Sequence, residues 1–346
     1  MSERAQLPRV SIFSMGGTIA STNDAGMAAG GVTPRLGAAE LVQAVPQLKE
    51  VAQLETVAFR QVPSGDLTLR DLRDLAAEID KRLDDGAAGA VITQGTDTIE
   101  ETSFTLELLV RGRRPVVVTG AMRNPTLAGP DGPANLLAAV QVAAAPEAAG
   151  LGALVVLNDT VHAARYVRKT HTSNPATFGS ATVGPLGWVV EGRPHIGLRP
   201  PALDTGALHG AGGGDIPAVA LVTCALGDDL RVLAELERLG YAGVVLTAFG
   251  GGHVPAPAVP ALADLAARIP VVLASRTSGG EVLQETYGFP GSERDLLSHG
   301  LIPAGFLDGP KARILLTLLL ANGADLDGTK TAFQRFMLSA LASSGT

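Results

Sequence analysis

The chain has 346 residues, 46% of them hydrophobic, and a formal net charge of −7, which is typical of a globular protein with a large core and room for two domains. Its acidic balance, without any basic block, argues against nucleic acid and anionic membranes as partners. A single cysteine excludes an internal disulfide, and the six histidines lack the spacing of zinc ligands.

Targeting and membrane segments are not predicted. The longest apolar run, 314–321, is far shorter than the roughly 20 residues that cross a bilayer. The first nine residues are polar and charged and lack the apolar core of an export signal. The sequence therefore predicts a soluble, cytoplasmic protein.

The first half of the chain alternates apolar runs with segments of helical period. Predicted strands are 10–15, 56–62, 89–93, 115–119 and 154–157, and predicted helices begin at Thr33-Pro34, Leu69, Ile99 and after Asp131. The segment 21–32 lacks a period and is predicted to be a mobile loop. Near-continuous Val, Ile and Leu runs separated by helices indicate an α/β fold with a buried parallel sheet and flavodoxin-like layering.

The stretch Gln94-Gly95-Thr96-Asp97-Thr98 lies between the end of a predicted buried strand and the start of a predicted helix. Thr98 and Glu101 have the spacing of a capping box, so the helix is expected to start at Ile99 with its free N–H groups facing the Gly95 turn. Ligands collect outside the carboxyl ends of such strands. A plain capped helix with an acidic first turn is the alternative explanation.

Similar polar turns follow other strands, and the right-handed crossover rule brings them to one sheet edge. They are Gly16-Gly17-Thr18, Ser64-Gly65-Asp66, Gly95-Thr96-Asp97 and a basic segment that contains Lys169. Hydroxyls need a neighbouring base to act as nucleophiles, and a lysine oriented by Asp97 can serve. This group suits acyl transfer from an amide or ester, although a solvated basic face also accounts for the lysine.

A domain boundary is predicted where Gly and Pro accumulate and the apolar period is lost. We place an N-terminal α/β domain at 1–190, a linker at 191–216 and a smaller C-terminal α/β domain at 217–346. In the second domain, strands are expected at 218–223, 243–246 and 271–274, with helices near 229–239, 310–320 and 331–341.

The sequence lacks the motifs of nucleotide-binding proteins and of the common serine hydrolases. The Gly16-Gly17 turn matches neither a dinucleotide-binding nor a phosphate-binding loop, and no Gly-x-Ser-x-Gly elbow of the common serine hydrolases is present.

Several motifs together resemble the bacterial-type L-asparaginase family across nearly the whole chain. They are Ser14 to Ala20, Gln94 to Thr102, Gly120 to Arg123, Asp131 to Leu136, Asn158 to Thr160, Arg165 to Thr170, and Gly305 to Leu316. The resemblance implies hydrolysis of L-asparagine to L-aspartate and ammonia through a threonine-linked β-acyl-enzyme, with weak glutaminase activity as a side reaction. It further implies a homotetramer built from dimers, without metal or cofactor.

The same resemblance assigns the site residues. Thr18 matches the nucleophile, and Thr96, Asp97 and Lys169 match the second threonine with the acid and lysine behind it. Ser64 and Gly65 match the turn that binds the substrate α-carboxylate, while Thr96 and Asp97 also contact substrate, Asp97 through its α-ammonium group.

Three positions depart from the family pattern. The family's loop tyrosine is absent from 21–33, where Gly31 stands near its position. His253 replaces an asparagine of exported members, and Tyr287 stands where a neighbouring subunit usually lends a glutamate. Activation of Thr18 and substrate preference are therefore expected to differ from those of the family pattern.

Two other function classes stay open at this point. An ammonia-supplying subunit of an archaeal-type tRNA amidotransferase would carry an additional N-terminal domain, for which a first strand starting at Val10 leaves no room. A non-catalytic sensor of an amino acid or nucleotide would be expected to have lost Thr18, which is present.

Overall fold

The computed structural model describes residues 6–17, 21–23, 32–34, 38–209 and 214–341. Its contacts divide the chain into two compact units, Met1–Ala202 and Leu203–Thr346. Within the described ranges, no helix has the length and apolar character needed to cross a bilayer.

The N-terminal unit contains, in chain order, β1 (Arg9–Ser14), β2 (Ser21–Asn23), β3 (Val32–Pro34), α1 (Ala38–Gln43), α2 (Leu48–Val51), β4 (Gln53–Ala58), α3 (Leu69–Asp84), β5 (Gly89–Thr93), α4 (Ile99–Leu109), β6 (Val116–Thr119), α5 (Gly132–Ala144), β7 (Ala153–Leu157), β8 (Thr160–Ala163), β9 (Arg168–Lys169), β10 (Phe178–Gly179), β11 (Gly187–Val190) and β12 (Arg193–Ile196). Short 3-10 turns lie at Ser64–Asp66, Thr96–Thr98 and Pro146–Ala148.

The predicted α/β class is confirmed by the main sheet, whose order is β12-β11-β8-β7-β6-β5-β1-β4. Strands β4, β1, β5, β6 and β7 are parallel, and their spatial order matches the 2-1-3-4-5 arrangement of flavodoxin-like folds. Strands β5, β6 and β7 are buried along their whole length, which explains their continuous apolar sequences. The strand order reverses at β1, so the crevice for a ligand lies outside the carboxyl ends of β1 and β5.

An antiparallel extension follows β7 and was not predicted. Asn158 and Asp159 both have positive φ (50° and 55°), as a two-residue type I′ hairpin turn requires, and they reverse the chain into β8. Strands β11 and β12 then add to the same edge. Strand β12 lies inside the predicted linker 191–216, where cross-strand pairing with β11 orders its residues.

Three local predictions were wrong in their bounds or in the type of element. The strand predicted at 56–62 is β4, which starts earlier because its residues pair one by one with β1, from Arg9–Gln53 to Ser14–Ala58. Thr33-Pro34 lies in β3, paired with β2, so the predicted start of the first helix was wrong. The positions Leu41 and Val42, which that helix was predicted to include, do lie in a helix, α1.

The helix predicted near 229–239 is a 3-10 turn at Arg231–Glu235. Leu230 precedes it with a left-handed φ of 54°, a backbone conformation that an α-helix cannot continue through.

The C-terminal unit has its own sheet and core. Its elements are a 3-10 turn at Gly206–Leu208, β13 (Val219–Thr223), a 3-10 turn at Arg231–Glu235, β14 (Gly243–Ala248), a 3-10 turn at Ala256–Ala258, α6 (Val259–Ala266), β15 (Val271–Ser275), α7 (Glu293–Ser298), β16 (Ile302–Pro303), α8 (Gly309–Ala321) and α9 (Leu326–Leu341). The four strands are parallel and ordered as in the sequence. The smaller α/β unit that the sequence predicted is thereby confirmed.

Candidate active site

The turns that follow β1 and β5 approach each other through glycine backbone. Gly17 has a φ of +86°, and a Cβ atom built on it would lie 1.9 Å from the backbone nitrogen of Gly95. A Cβ atom on Gly95 would lie 2.8 Å from Ser64 Oγ. Only glycine permits both contacts, so three of the predicted polar turns meet at the crevice of the main sheet.

Replacing Gly17 with alanine is expected to open this junction, because the new methyl group overlaps the Gly95 backbone. The free energy of unfolding of the Gly17→Ala variant should be lower than that of the unaltered protein by about 4 kcal/mol or more. Gly112→Ala is the matched control: its φ is +87° but no atom lies within 4 Å of its Cβ position, so only the backbone penalty of about 1–2 kcal/mol should appear. Urea unfolding can be followed by the fluorescence of Trp188, the sole tryptophan, which lies in β11. Equal losses in both variants would contradict the close approach.

Lys169 connects the second threonine with the neighbouring carboxylate. Its Nζ donates hydrogen bonds to Thr96 Oγ1 at 2.9 Å and to Asp97 Oδ1 at 2.5 Å. The side chain of Lys169 is 15% exposed, whereas that of Asp97 is 81% exposed, and Thr96 is buried. The ammonium group thus lies between a buried hydroxyl and a solvent-facing carboxylate. The predicted Thr96, Asp97 and Lys169 are brought together.

Ser64 and Gly65 lie beside this group in the 3-10 turn Ser64–Asp66. Thr98 Oγ1 donates to the carbonyl oxygen of Ser64 at 3.1 Å, which fixes the Ser64 turn against the start of α4. The predicted capping box is therefore wrong, although α4 does begin at Ile99: the Thr98 side chain makes no capping hydrogen bond and is used for this tertiary contact.

Thr18, the predicted nucleophile, lies outside the described residues, and so does Gly31. Gly17, which precedes Thr18 in the sequence, belongs to the Gly95 junction. Of the predicted loop 21–32, the described ends form the paired strands β2 and β3.

One residue near the site was missed by the sequence analysis. Glu100 Oε2 accepts a hydrogen bond from the backbone N–H of Lys169 at 2.8 Å. Glu100 directly follows the Thr96 motif, in the first turn of α4. An acidic first turn is commonly explained by the helix dipole, so the sequence held no signal for a partner 69 residues away.

Asp131 and Asn135, from another of the polar motifs, hydrogen-bond to loop backbone and are not part of the group formed by Thr96, Asp97 and Lys169. The Asp131 carboxylate accepts the backbone N–H groups of Met122 at 3.1 Å and Arg123 at 2.8 Å. Asn135 donates to the Gly120 carbonyl at 3.0 Å and accepts the N–H of Asn158 at 2.9 Å. These side chains hold the chain leaving β6 and the β7–β8 turn in place.

The two residues of the second unit that depart from the family pattern, His253 and Tyr287, lie next to each other. The ring of His253 contacts that of Tyr287 edge-on, with centroids 5.0 Å apart, and its Nε2 lies 3.1 Å from Glu293 Oε2. Burial of Glu293 favours its neutral form, but hydrogen bonds from the N–H groups of Tyr287 and Thr286 outweigh it and lower the pKa of this carboxyl. The charged carboxylate thus orders the Thr286–Tyr287 backbone beside His253.

A further histidine, His162, lies in the main sheet of the first unit. His162 is buried in β8 with its Nδ1 2.9 Å from Ser180 Oγ, and burial lowers its pKa to about 4. It is therefore neutral near pH 7. Within the described part of the chain, no three His, Cys, Asp or Glu residues are grouped as metal ligands.

The Thr96, Asp97 and Lys169 side chains combine a hydroxyl, a carboxylate and an amine beyond the carboxyl end of β5, where the N-terminus of helix α4 begins. Such a set can move protons to and from a bound amide while helix N–H groups face developing negative charge.

Comparison with known proteins is consistent with that chemistry. A family model described as "Asparaginase, N-terminal" matches residues 9–202, and one described as "Glutaminase/Asparaginase C-terminal domain" matches residues 218–333.

The chain belongs to the asparaginase family. The predicted resemblance is thus confirmed, and it extends over both units of this asparaginase-family chain. L-asparaginase 2 of Escherichia coli K12 is 35% identical over 341 residues, covering 95% of this chain and 94% of the relative. An L-asparaginase of Bacillus licheniformis is 36% identical over 91% of this chain and 96% of its own length.

A solved structure supports the same grouping. The crystal structure of a probable cytoplasmic L-asparaginase from Campylobacter jejuni aligns with a TM-score of 0.86 at 32% identity, covering 95% of this asparaginase-family chain and 100% of the solved chain.

Proposed function

We propose that this protein hydrolyses L-asparagine to L-aspartate and ammonia. The observation that carries the proposal is the Lys169 ammonium group, hydrogen-bonded to both Thr96 Oγ1 and Asp97 Oδ1 at the crevice of the main sheet. The names of the relatives, which are L-asparaginases, support the same reaction.

In the proposed mechanism, Thr18 Oγ attacks the side-chain amide carbonyl of asparagine. A bond forms between Thr18 Oγ and the carbonyl carbon, the C–N bond breaks, and the amide nitrogen takes up the hydroxyl proton and leaves as ammonia. Water then attacks the β-aspartyl ester, releasing aspartate and restoring the Thr18 hydroxyl. Thr96 and Lys169 supply the proton-transfer groups beside the reacting carbonyl.

Substrate binding is assigned to the two flanking turns. Ser64 and Gly65 are proposed to bind the α-carboxylate, and Asp97 to pair with the α-ammonium group. The exposure of the Asp97 side chain (81%) supports this role, since it leaves the carboxylate accessible to a bound substrate.

Ammonia release from L-asparagine, L-glutamine and D-asparagine tests the proposal. We expect kcat/KM for L-asparagine to exceed that for L-glutamine about tenfold or more, because one extra methylene in a fitted pocket costs roughly 1–3 kcal/mol. Saturable release from L-asparagine would support the assignment. A well-folded protein that releases no ammonia from L-asparagine would contradict it.

The assembly and location follow the same proposal. We propose a cytoplasmic homotetramer built from dimers, with Tyr287 as a subunit contact; its side chain is 44% exposed in the single chain. Light scattering of the active enzyme tests the assembly, and a fully active monomer would contradict it.

A further inference from the structure

Helix α4 contacts the segment 165–169 at two points. At its first turn, Glu100 Oε2 accepts the backbone N–H of Lys169 at 2.8 Å. Two turns later, Glu107 Oε1 accepts from Arg165 Nε at 2.9 Å and from Arg165 Nη2 at 2.5 Å. Residues seven apart lie on one face of a helix, so α4 presents both carboxylates to the same segment.

The deeper contact is fully enclosed. The side chains of Arg165 and Glu107 are each 2% exposed, and Arg165 Nη1 also donates to the carbonyl oxygen of Pro201 at 2.8 Å. Gly152 makes room for the pair, since a Cβ atom there would lie 2.5 Å from Glu107 Oε1. A guanidinium held at two nitrogens by one carboxylate has a defined orientation.

The same helix carries the groups that Lys169 reaches. The 3-10 turn Thr96–Thr98 runs directly into α4, so Thr96 Oγ1 and Asp97 Oδ1 move with the helix that holds the Lys169 backbone. Both ends of the Lys169 side chain are therefore positioned from one rigid element. A misplacement of about 1 Å at a reacting group can cost 10²-fold in rate.

We propose that Glu100 and the Glu107–Arg165 pair are positioning residues that set the distance between Lys169 Nζ and Thr96 Oγ1. We call Glu100, Glu107 and Arg165 the α4 clamp. The inference rests on the proposed function, in which Lys169 and Thr96 transfer protons. The clamp does not touch substrate in that mechanism; it acts through Lys169.

Two substitutions at Glu100 separate positioning from charge. Glu100→Ala removes the acceptor of the Lys169 N–H and is expected to lower kcat about 10- to 100-fold with a smaller change in KM. Glu100→Gln keeps an acceptor oxygen and should restore most of that kcat. Glu50→Ala, on the exposed surface of α2, controls for loss of a carboxylate elsewhere. An unchanged kcat in Glu100→Ala would overturn the proposal.

The buried pair is tested by replacing both members together. Buried ion pairs are often replaced by apolar residues of similar size without loss of stability. For Glu107→Leu with Arg165→Met we therefore expect a Tm near that of the unaltered protein but a kcat lowered about tenfold or more. A purely stabilising pair predicts that kcat follows Tm, and an unchanged kcat at an unchanged Tm would overturn the positioning role.

A readout independent of turnover keeps this inference separate from the proposed function. The rate at which an acetylating reagent modifies Lys169, followed by peptide mass spectrometry, should rise severalfold in Glu100→Ala and return towards the original rate in Glu100→Gln. Such a rise in a protein without asparaginase activity would retain the clamp and reject the proposed function. An unchanged modification rate would overturn the clamp even if the enzyme is active.

Discussion

Thr18→Ala is expected to reduce ammonia release from L-asparagine to the background rate, a loss of about 10⁴-fold or more. The substitution deletes the oxygen that forms the acyl bond in the proposed mechanism, and neighbouring groups cannot replace a covalent nucleophile. The junction between Gly17 and Gly95 is made by backbone atoms, which this substitution keeps. Circular dichroism and Tm should therefore match those of the unaltered protein.

Thr18→Ser provides the matched control because it keeps the hydroxyl and removes only a methyl group. We expect it to retain measurable turnover. Acid quenching during turnover, followed by peptide mass spectrometry, should find an added aspartyl group on the peptide that contains Thr18. Normal turnover by Thr18→Ala, or an acyl group found on another peptide, would contradict the proposed mechanism.

Lys169→Met is expected to lower kcat about 10³-fold, within the range typical of general acid–base groups. Methionine fills nearly the same volume but cannot donate to Thr96 Oγ1 or pair with Asp97, the two contacts made by Lys169 Nζ. Stability should change little, because the Asp97 carboxylate is largely in water and exposed pairs contribute little. Steady-state kinetics and a melting curve measure the two effects.

Two further variants identify what the lysine contributes. Lys169→Arg keeps the positive charge, but a guanidinium does not lose its proton in proteins, so a role in proton transfer predicts low activity for this variant too. Thr96→Val combined with Lys169→Met should lose little more than the worse single variant, because the two groups act as a unit. Full activity of Lys169→Arg would reduce the lysine to a fixed charge, and additive losses would separate it from Thr96.

The main sheet could be predicted because its central strands are buried on both faces. Continuous apolar runs such as Gly89–Thr93 leave little choice of environment, and the turns after them fall at one edge by topology. The antiparallel strands were missed because β8, β11 and β12 are four residues each and partly polar. The only local signal was Asn158-Asp159, whose residue types favour left-handed backbone at a hairpin turn.

The site was predicted in part for a similar reason. Thr96, Asp97 and Lys169 belong to motifs, and the structure brings them together. The contacts of Glu100 and Glu107 join residues 69 and 58 positions apart, which no local pattern encodes. The capping box at Thr98 failed because a tertiary acceptor, the Ser64 carbonyl, was not visible from helix spacing.

The path of the chain to Lys169 has a consequence for the protein during its synthesis. Lys169 lies in β9, which follows the fifth parallel strand and the first antiparallel strand of the main sheet, whereas Thr96 precedes it by 73 positions. A nascent chain can pair β1 with β4 and β5 once residue 93 has left the ribosome, yet Lys169, a proton-transfer group of the proposed mechanism, is still untranslated. If that mechanism holds, the strands that form the crevice can pair before the lysine exists, and the nascent N-terminal unit lacks this group until about half of the chain has been made.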